Sequence, residues 1–265
     1  MNALVPTTRP ATGSERPVVI GWLAALAALC WAYLLFRAAR MAPAEMGAMA
    51  GMDMAAPPHP APYRVPELLL LFGMWVAMML AMMLPAATPA VLLFARVNRL
   101  YHAVRRPYLA TALFVLGYAA VWSAFSALAT LAQWLLHDAG VLDPSMAVAN
   151  ATAAGLALVA AGVYQWTPAK HTCLHHCRTP LAFILTGWRA GPLGAFGMGV
   201  THGMYCTGCC WLLMVLLFAA GVMNLWAIAG LAALVLAEKL LPGGPWVATL
   251  SGLGLVAWGT LLLFP

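Results

Sequence analysis

Leu68-Leu-Leu-Leu-Phe-Gly-Met74-Trp75-Val-Ala-Met78-Met79-Leu-Ala-Met82-Met83-Leu-Pro85-Ala-Ala-Thr-Pro89-Ala-Val-Leu-Leu-Phe94 runs from 68 to 94 without one charged side chain. A helix needs about 20 apolar residues to cross the hydrocarbon core of a bilayer. This stretch is long enough to cross with residues to spare, and a soluble core helix has no use for such a run. Pro85 and Pro89 are expected to kink or end it, because proline removes a helix hydrogen bond and crowds the preceding turn.

Six further runs resemble it: Val18–Phe36, Leu109–Leu136, Met146–Trp166, Leu193–Ala220, Leu225–Leu241 and Trp246–Phe264. Of the 265 residues 64% are hydrophobic and 8% charged, whereas an ordinary soluble domain is roughly a quarter charged. So few charges do not cover a water-facing surface. The sequence predicts an all-α, polytopic membrane protein of about seven transmembrane helices. Residues 1–66 read as a signal-anchor helix, with Trp22, Trp31 and Tyr33 in a run too long for a cleaved signal, followed by an external methionine-rich linker. Residues 67–265 read as a six-helix metal-binding domain.

The net charge of +6 does not indicate nucleic acid, because the basic residues sit in the connections between runs. Arg9, Arg16, Arg96, Arg99, Arg105, Arg106, Lys170, Arg178, Arg189 and Lys239 fall on one side of the expected topology; Arg37, Arg40 and Arg64 fall on the other. The positive-inside rule then puts the N-terminus in the cytoplasm and the C-terminus outside. In a bacterium this is a multi-pass protein of the cytoplasmic membrane.

Soft-metal ligands concentrate in four places. The external segment after the first run holds Met41, Met46, Met49, Met52 and Met54, with His59 beyond; thioethers have no proton to lose and suit Cu(I). Met46, Met49, Met52 and Met54 are therefore expected to capture metal. In the second run Met74, Met78 and Met82 form one stripe, at about 100° per residue, and Met79 and Met83 form another beside it. The fifth run carries the sharpest signal, with His202, Cys206, Cys209 and Met198 sharing a face about 80° wide and Cys210 at its flank. His202 lies roughly 15 Å into that helix, near the bilayer midplane, where polar groups are costly and usually functional. The fourth cluster is Lys170-His171-Thr-Cys173-Leu-His175-His176-Cys177-Arg178, whose Cys173, Cys177 and His175 read as a solvent-accessible inner station. Glu238, with Lys239 beside it, and Asn224 are further candidate functional residues. Met74, Met78 and Met82 reach depths of about 12 to 24 Å, so packing of the second run on the fifth would let them complete a site with His202, Cys206 and Cys209.

Several stretches together resemble the signatures of one bacterial family. They are Met74-Trp75-x-x-Met-Met-x-x-Met-Met-x-Pro85-x-x-x-Pro89, Gln165-Trp-Thr-Pro-x-Lys170-x-x-Cys173-Leu-x-x-Cys177-Arg, and His202-Gly-x-Tyr-Cys206-x-Gly-Cys-Cys-Trp211. Gly221-x-Met-Asn224 and Glu238-Lys239-x-x-Pro242-x-Gly244 extend the match. The family is that of the predicted metal-binding integral membrane proteins, some of whose members carry the label copper chaperone. The resemblance covers about Pro66 to the C-terminus and implies a membrane location and metal binding, but no particular reaction.

The sequence-based reading is thus a copper-handling membrane protein, more binder than enzyme. It would hold Cu(I) and pass it on by thiolate and thioether exchange, with a metal-delivering or metal-receiving protein as partner and the lipid bilayer as surroundings. Zinc would also suit the Cys/His clusters. One alternative is a membrane thiol or quinone oxidoreductase built on the Cys206-x-x-Cys209 pair. Another is an accessory subunit of a copper- or haem-containing complex, with histidines on the haem. No nucleotide-binding loop, hydrolytic triad or paired-carboxylate site is present, which argues against an ATP-driven pump.

Overall fold

The computed structural model describes residues 15–50, 63–102, 107–142, 146–148 and 150–264, with the side chains of 15, 41–50, 101, 102 and 107 left out. The side chains of Met46 and Met49, and the whole of Met52, Met54 and His59, lie outside the described residues. Those described form nine helices and no strand, apart from an isolated bridge between Leu142 and Val148. The helices are α1 (Glu15–Ala50), α2 (Val65–His102), α3 (Pro107–Asp138), α4 (Ala151–Tyr164), α5 (Pro168–Arg178), α6 (Pro180–Thr186), α7 (Gly191–Ala220), α8 (Leu225–Leu240) and α9 (Gly244–Leu263).

Five of them, α1, α2, α3, α7 and α9, are long and apolar enough to cross a membrane. The fourth and sixth expected runs give shorter helices, 14 residues in α4 and 16 in α8. Helix α2 runs through both Pro85 and Pro89 without ending, as transmembrane helices do when neighbours satisfy the freed carbonyl groups. Between the two prolines Thr88 Oγ1 donates to the Leu84 carbonyl one turn back, at 3.0 Å, a carbonyl that neither proline frees.

Helix α3 packs on α7 and on α2, α1 packs on α2, and α4 packs on α9. Glycine makes these approaches close: a Cβ on Gly199 would strike the Phe114 carbonyl of α3, and Gly162 and Gly252 stand against one another between α4 and α9. Small residues let membrane helices meet backbone to backbone.

The segment between α4 and α7 runs alongside α7 in short steps. The Val148 amide donates to the Phe218 carbonyl, the Tyr164 hydroxyl donates to the Gly208 carbonyl, His176 stacks on Tyr205, Phe183 meets His202, and the Arg189 amide reaches Met198 Sδ. Helices α4, α5 and α6 therefore descend along α7 as one interrupted run. The interruption is local chemistry. Thr167 leaves the helix in an extended conformation and its hydroxyl oxygen accepts from the Lys170 amide at 3.3 Å, with Pro168 opening α5. Proline at the first position of a helix has no amide to strand. A second break separates α8 from α9 at Leu241, Pro242 and Gly243. Because α9 runs back along α4, with Gly252 beside Gly162 and Gly259 beside Gly155, α8 and α9 form a helical hairpin. Its turn lies against Arg178.

Candidate metal centre

Helix α7 turns one face inward, and Met198, His202, Cys206, Cys209 and Cys210 are all buried on it. That grouping is the one the helical spacing predicts. Around Cys206 the neighbours come from four other helices. Its Sγ accepts a hydrogen bond from Lys239 Nζ of α8 at 2.9 Å and lies 3.0 Å from the Tyr118 hydroxyl of α3. Tyr118 also donates to the Met83 carbonyl of α2 at 3.2 Å. The Cys177 side chain of α5 lies close enough to the Cys206 and Cys209 sulfurs to interact with both electrostatically. Cys209 and Cys210 donate to the carbonyl of Cys206 at 3.1 and 3.0 Å, and Cys210 Sγ lies 4.0 Å from Met83 Sδ.

Four thiols and a thioether therefore meet beside one ammonium group. Cys173 joins the edge, its Sγ so close to Gly208 that a Cβ there would lie 2.8 Å away. The residues expected to form an inner station, Cys173 and Cys177, are thus packed against the α7 cysteines, because α5 docks on α7. His175 points away and is exposed.

One turn below, His202 is buried among the rings of Phe114, Tyr118 and Phe183, with centroids 5.8 to 6.0 Å from its own. Its Nδ1 has no hydrogen-bond partner. A buried ring nitrogen left without a partner carries a desolvation cost, and a metal ion or a ligand is one way to meet it.

Helix α2 has α1, α3 and α8 as its main neighbours, and it reaches the cysteines through Met83. Met74, Met78 and Met82 are buried in the same core, and the Trp75 indole of that stretch is tied to Gln133 Oε1 at 2.7 Å. The sulfur contact to the α7 site thus comes from the neighbouring stripe.

A second polar layer holds the broken ends together. Lys170 Nζ of α5 meets Glu238 Oε2 of α8 at 2.6 Å, with the two side chains 0% and 1% exposed. Gln165 Nε2 donates to Glu238 Oε1 at 2.9 Å and to Ser251 Oγ of α9 at 2.8 Å. Arg178 donates to the carbonyls of Glu238 and Pro242, which the break between α8 and α9 leaves without helical partners. Glu238 and Lys239 lie near the end of α8, yet both side chains are buried and engaged in the bundle. Asn224 caps α8, accepting from the amides of Trp226 and Ala227 at 3.1 and 3.2 Å.

Tyr118, Met83 and Lys170 are the site residues that spacing alone did not single out. Tyr118 is one tyrosine in an apolar run and leaves no pattern. Met83 belonged to a recognised stripe, and Lys170 to a recognised cluster, without a visible partner.

A family model described as copper chaperone, PpoB2, matches residues 72–262. The chain belongs to the PpoB2 copper chaperone family. The matched span takes in every side chain of the sulfur site and of the Glu238 layer, and membership associates the chain with copper. No curated protein and no solved structure matches it. Among the described residues no three His, Cys, Asp or Glu side chains stand arranged to hold a metal ion. Within the family assignment, the thiols together with the Met83 thioether are the soft donors on offer.

Proposed function

We propose that this chain binds Cu(I) within the membrane and passes it on by exchange among thiolates and thioethers, with Cys206 as the central ligand. The observation that carries the reading is the pair of contacts on Cys206 Sγ: Lys239 Nζ at 2.9 Å and the Tyr118 hydroxyl at 3.0 Å. The thiolate is the metal-binding form of cysteine, and a buried anion needs a counter-charge. Lys239 supplies one. Soft thiolate and thioether donors select Cu(I) over harder ions. Cys177, Cys209 and Met83 sit within reach of the same centre, and His202 offers an unpartnered nitrogen one turn away.

The bundle suits transfer as well as storage. Substrate sites in transporters are commonly built where discontinuous helices expose backbone ends in the middle of the bundle. The interrupted α4–α5–α6 run and the α8–α9 hairpin meet at the sulfur site. With α4–α6 counted as one broken crossing, the chain crosses the bacterial cytoplasmic membrane seven times, N-terminus inside. The methionines of residues 41–54 then form an external capture segment, and a soluble metal-carrying protein is the partner on one side.

The test is copper content after Cu(I) loading under reducing conditions, for the detergent-purified protein beside Cys206→Ser/Cys209→Ser. Wild type is expected to hold one copper per chain and the variant none. Equal copper in both would overturn the reading.

A thiol oxidoreductase remains the second reading, and one observation favours it. Cys177 lies near Cys206 and Cys209, close enough to interact with both electrostatically, so a dithiol relay has a third sulfur nearby. Quinone reduction by the purified protein with dithiothreitol, lost in Cys177→Ser, would decide for it.

A further inference from the structure

Helix α5 is two-sided. Lys170 and Leu174 are buried, and Cys173 and Cys177 are half-buried toward α7. His171, Thr172 and His175 are exposed. At about 100° per residue, His175 stands about 40° from His171, while Cys173 and Cys177 fall on the opposite side.

The third histidine of the helix is committed elsewhere. His176 Nδ1 lies 2.8 Å from the Thr172 carbonyl, and its ring stacks on Tyr205 with centroids 4.2 Å apart. His171 and His175 make no such contacts. Among the described residues the His175 ring has one ring neighbour, a distant edge approach to His176 with 6.1 Å between centroids. Exposed imidazoles on most proteins are solvated surface. Leucine and alanine are the commonest residues on the described outer surface, which is mostly apolar, and an open histidine pair stands out on it.

We infer that His171 and His175 form a second metal site, an imidazole pair on the outer face of α5 that takes a borderline divalent cation. Residues at i and i+4 stand about 5–6 Å apart at Cβ, the spacing at which two histidines of one helix grip a single ion. Imidazole suits copper, zinc and nickel, and affinity among divalent ions peaks at Cu(II). The site therefore differs in hardness from the sulfur centre behind it. One short helix presents nitrogen donors outward and sulfur donors inward. The inference goes beyond the Cu(I) reading and does not depend on it.

Ni(II) is the probe, because it favours imidazole and is not reduced by the neighbouring thiols. Titration into the detergent-purified full chain is expected to show one site per chain, equally in wild type and in Cys206→Ser/Cys209→Ser. His171→Ala/His175→Ala is expected to weaken that binding at least tenfold, and His176→Ala to leave it unchanged. Both substituted histidines are exposed, and an unchanged thermal melt of the double variant confirms its fold. Unaltered Ni(II) binding in the double-histidine variant, no binding by wild type, or loss of binding in the cysteine variant would each overturn the inference. Failure of Cu(I) loading with Ni(II) binding intact would instead sink the sulfur-site reading alone.

Discussion

Replacing Lys239 by methionine tests the central contact directly. Methionine keeps the length and apolar volume of the lysine stem, so the change removes little but the ammonium group 2.9 Å from Cys206 Sγ. Two thiolates around one Cu(I) carry a net negative charge, and in a buried setting that charge is costly without a counter-ion. A hydrogen bond to a charged group contributes about 1.5–3 kcal/mol. At about 1.4 kcal/mol per decade of affinity, Lys239→Met should weaken Cu(I) binding roughly 10- to 100-fold. The assay is competition with a chromophoric Cu(I) chelator under reducing conditions, on protein whose thermal melt is unchanged. Lys239→Arg keeps the charge and should stay within a few-fold of wild type. Tighter binding in Lys239→Met would mean that the lysine competes with the metal rather than supporting it. Binding within twofold of wild type would mean that the contact has no part in holding copper.

Glu238→Ala strands the Lys170 cation in a site that is 0% exposed, and breaking one side of a buried pair costs about 3–5 kcal/mol. A large drop in Tm in detergent is expected, with Glu238→Gln losing less because the amide oxygen still accepts from Lys170. Gly208→Ala puts a methyl group 2.8 Å from Cys173 Sγ, which pushes α5 off α7. Faster alkylation of Cys177 by a membrane-permeant maleimide is the expected result. Tyr118→Phe removes a hydroxyl 3.0 Å from Cys206 Sγ and 3.2 Å from the Met83 carbonyl. A neutral hydrogen bond contributes about 1 kcal/mol, so Cu(I) affinity in the chelator competition should fall only a few-fold.

What could be read in the sequence divides along a physical line. Properties that live on one helix were legible. The inward face of α7 follows from 3.6 residues per turn, and Met198, His202, Cys206, Cys209 and Cys210 are buried on it. The partners of Cys206 were not legible, because Lys239 lies 33 residues away, Tyr118 lies 88 away, and no periodicity links them. Which methionine stripe on α2 touches the cysteines of α7 was not legible for the same reason. Met78 and Met83 are equally apolar and equally buried, and only the placement of α2 in the bundle decides which one reaches Cys210. The interruption after Tyr164 had a local signal in Thr167-Pro168. That dipeptide says where a helix restarts, but not that the restarted helix lies against α7.

The two breaks and the charges explain one another. An unbroken helix satisfies its own backbone, whereas a helix end presents open carbonyls. Arg178 occupies those of Glu238 and Pro242, and Thr167 covers the start of α5. Around this junction the buried Lys170 and Lys239 set two cations against the single carboxylate of Glu238. A buried layer with that imbalance is unfavourable by itself, since apolar packing generally outdoes buried ion pairs in stability. It becomes reasonable when the missing negative charge is sulfur. A thiolate at Cys206 balances the excess, and on the proposed Cu(I) reading an ion held by it and one neighbouring thiolate leaves the layer neutral. The charge arrangement therefore favours copper held by the Cys177, Cys206, Cys209 and Cys210 group over copper held by the neutral methionines of α2, whose thioethers would add the ion's positive charge to a layer already in excess.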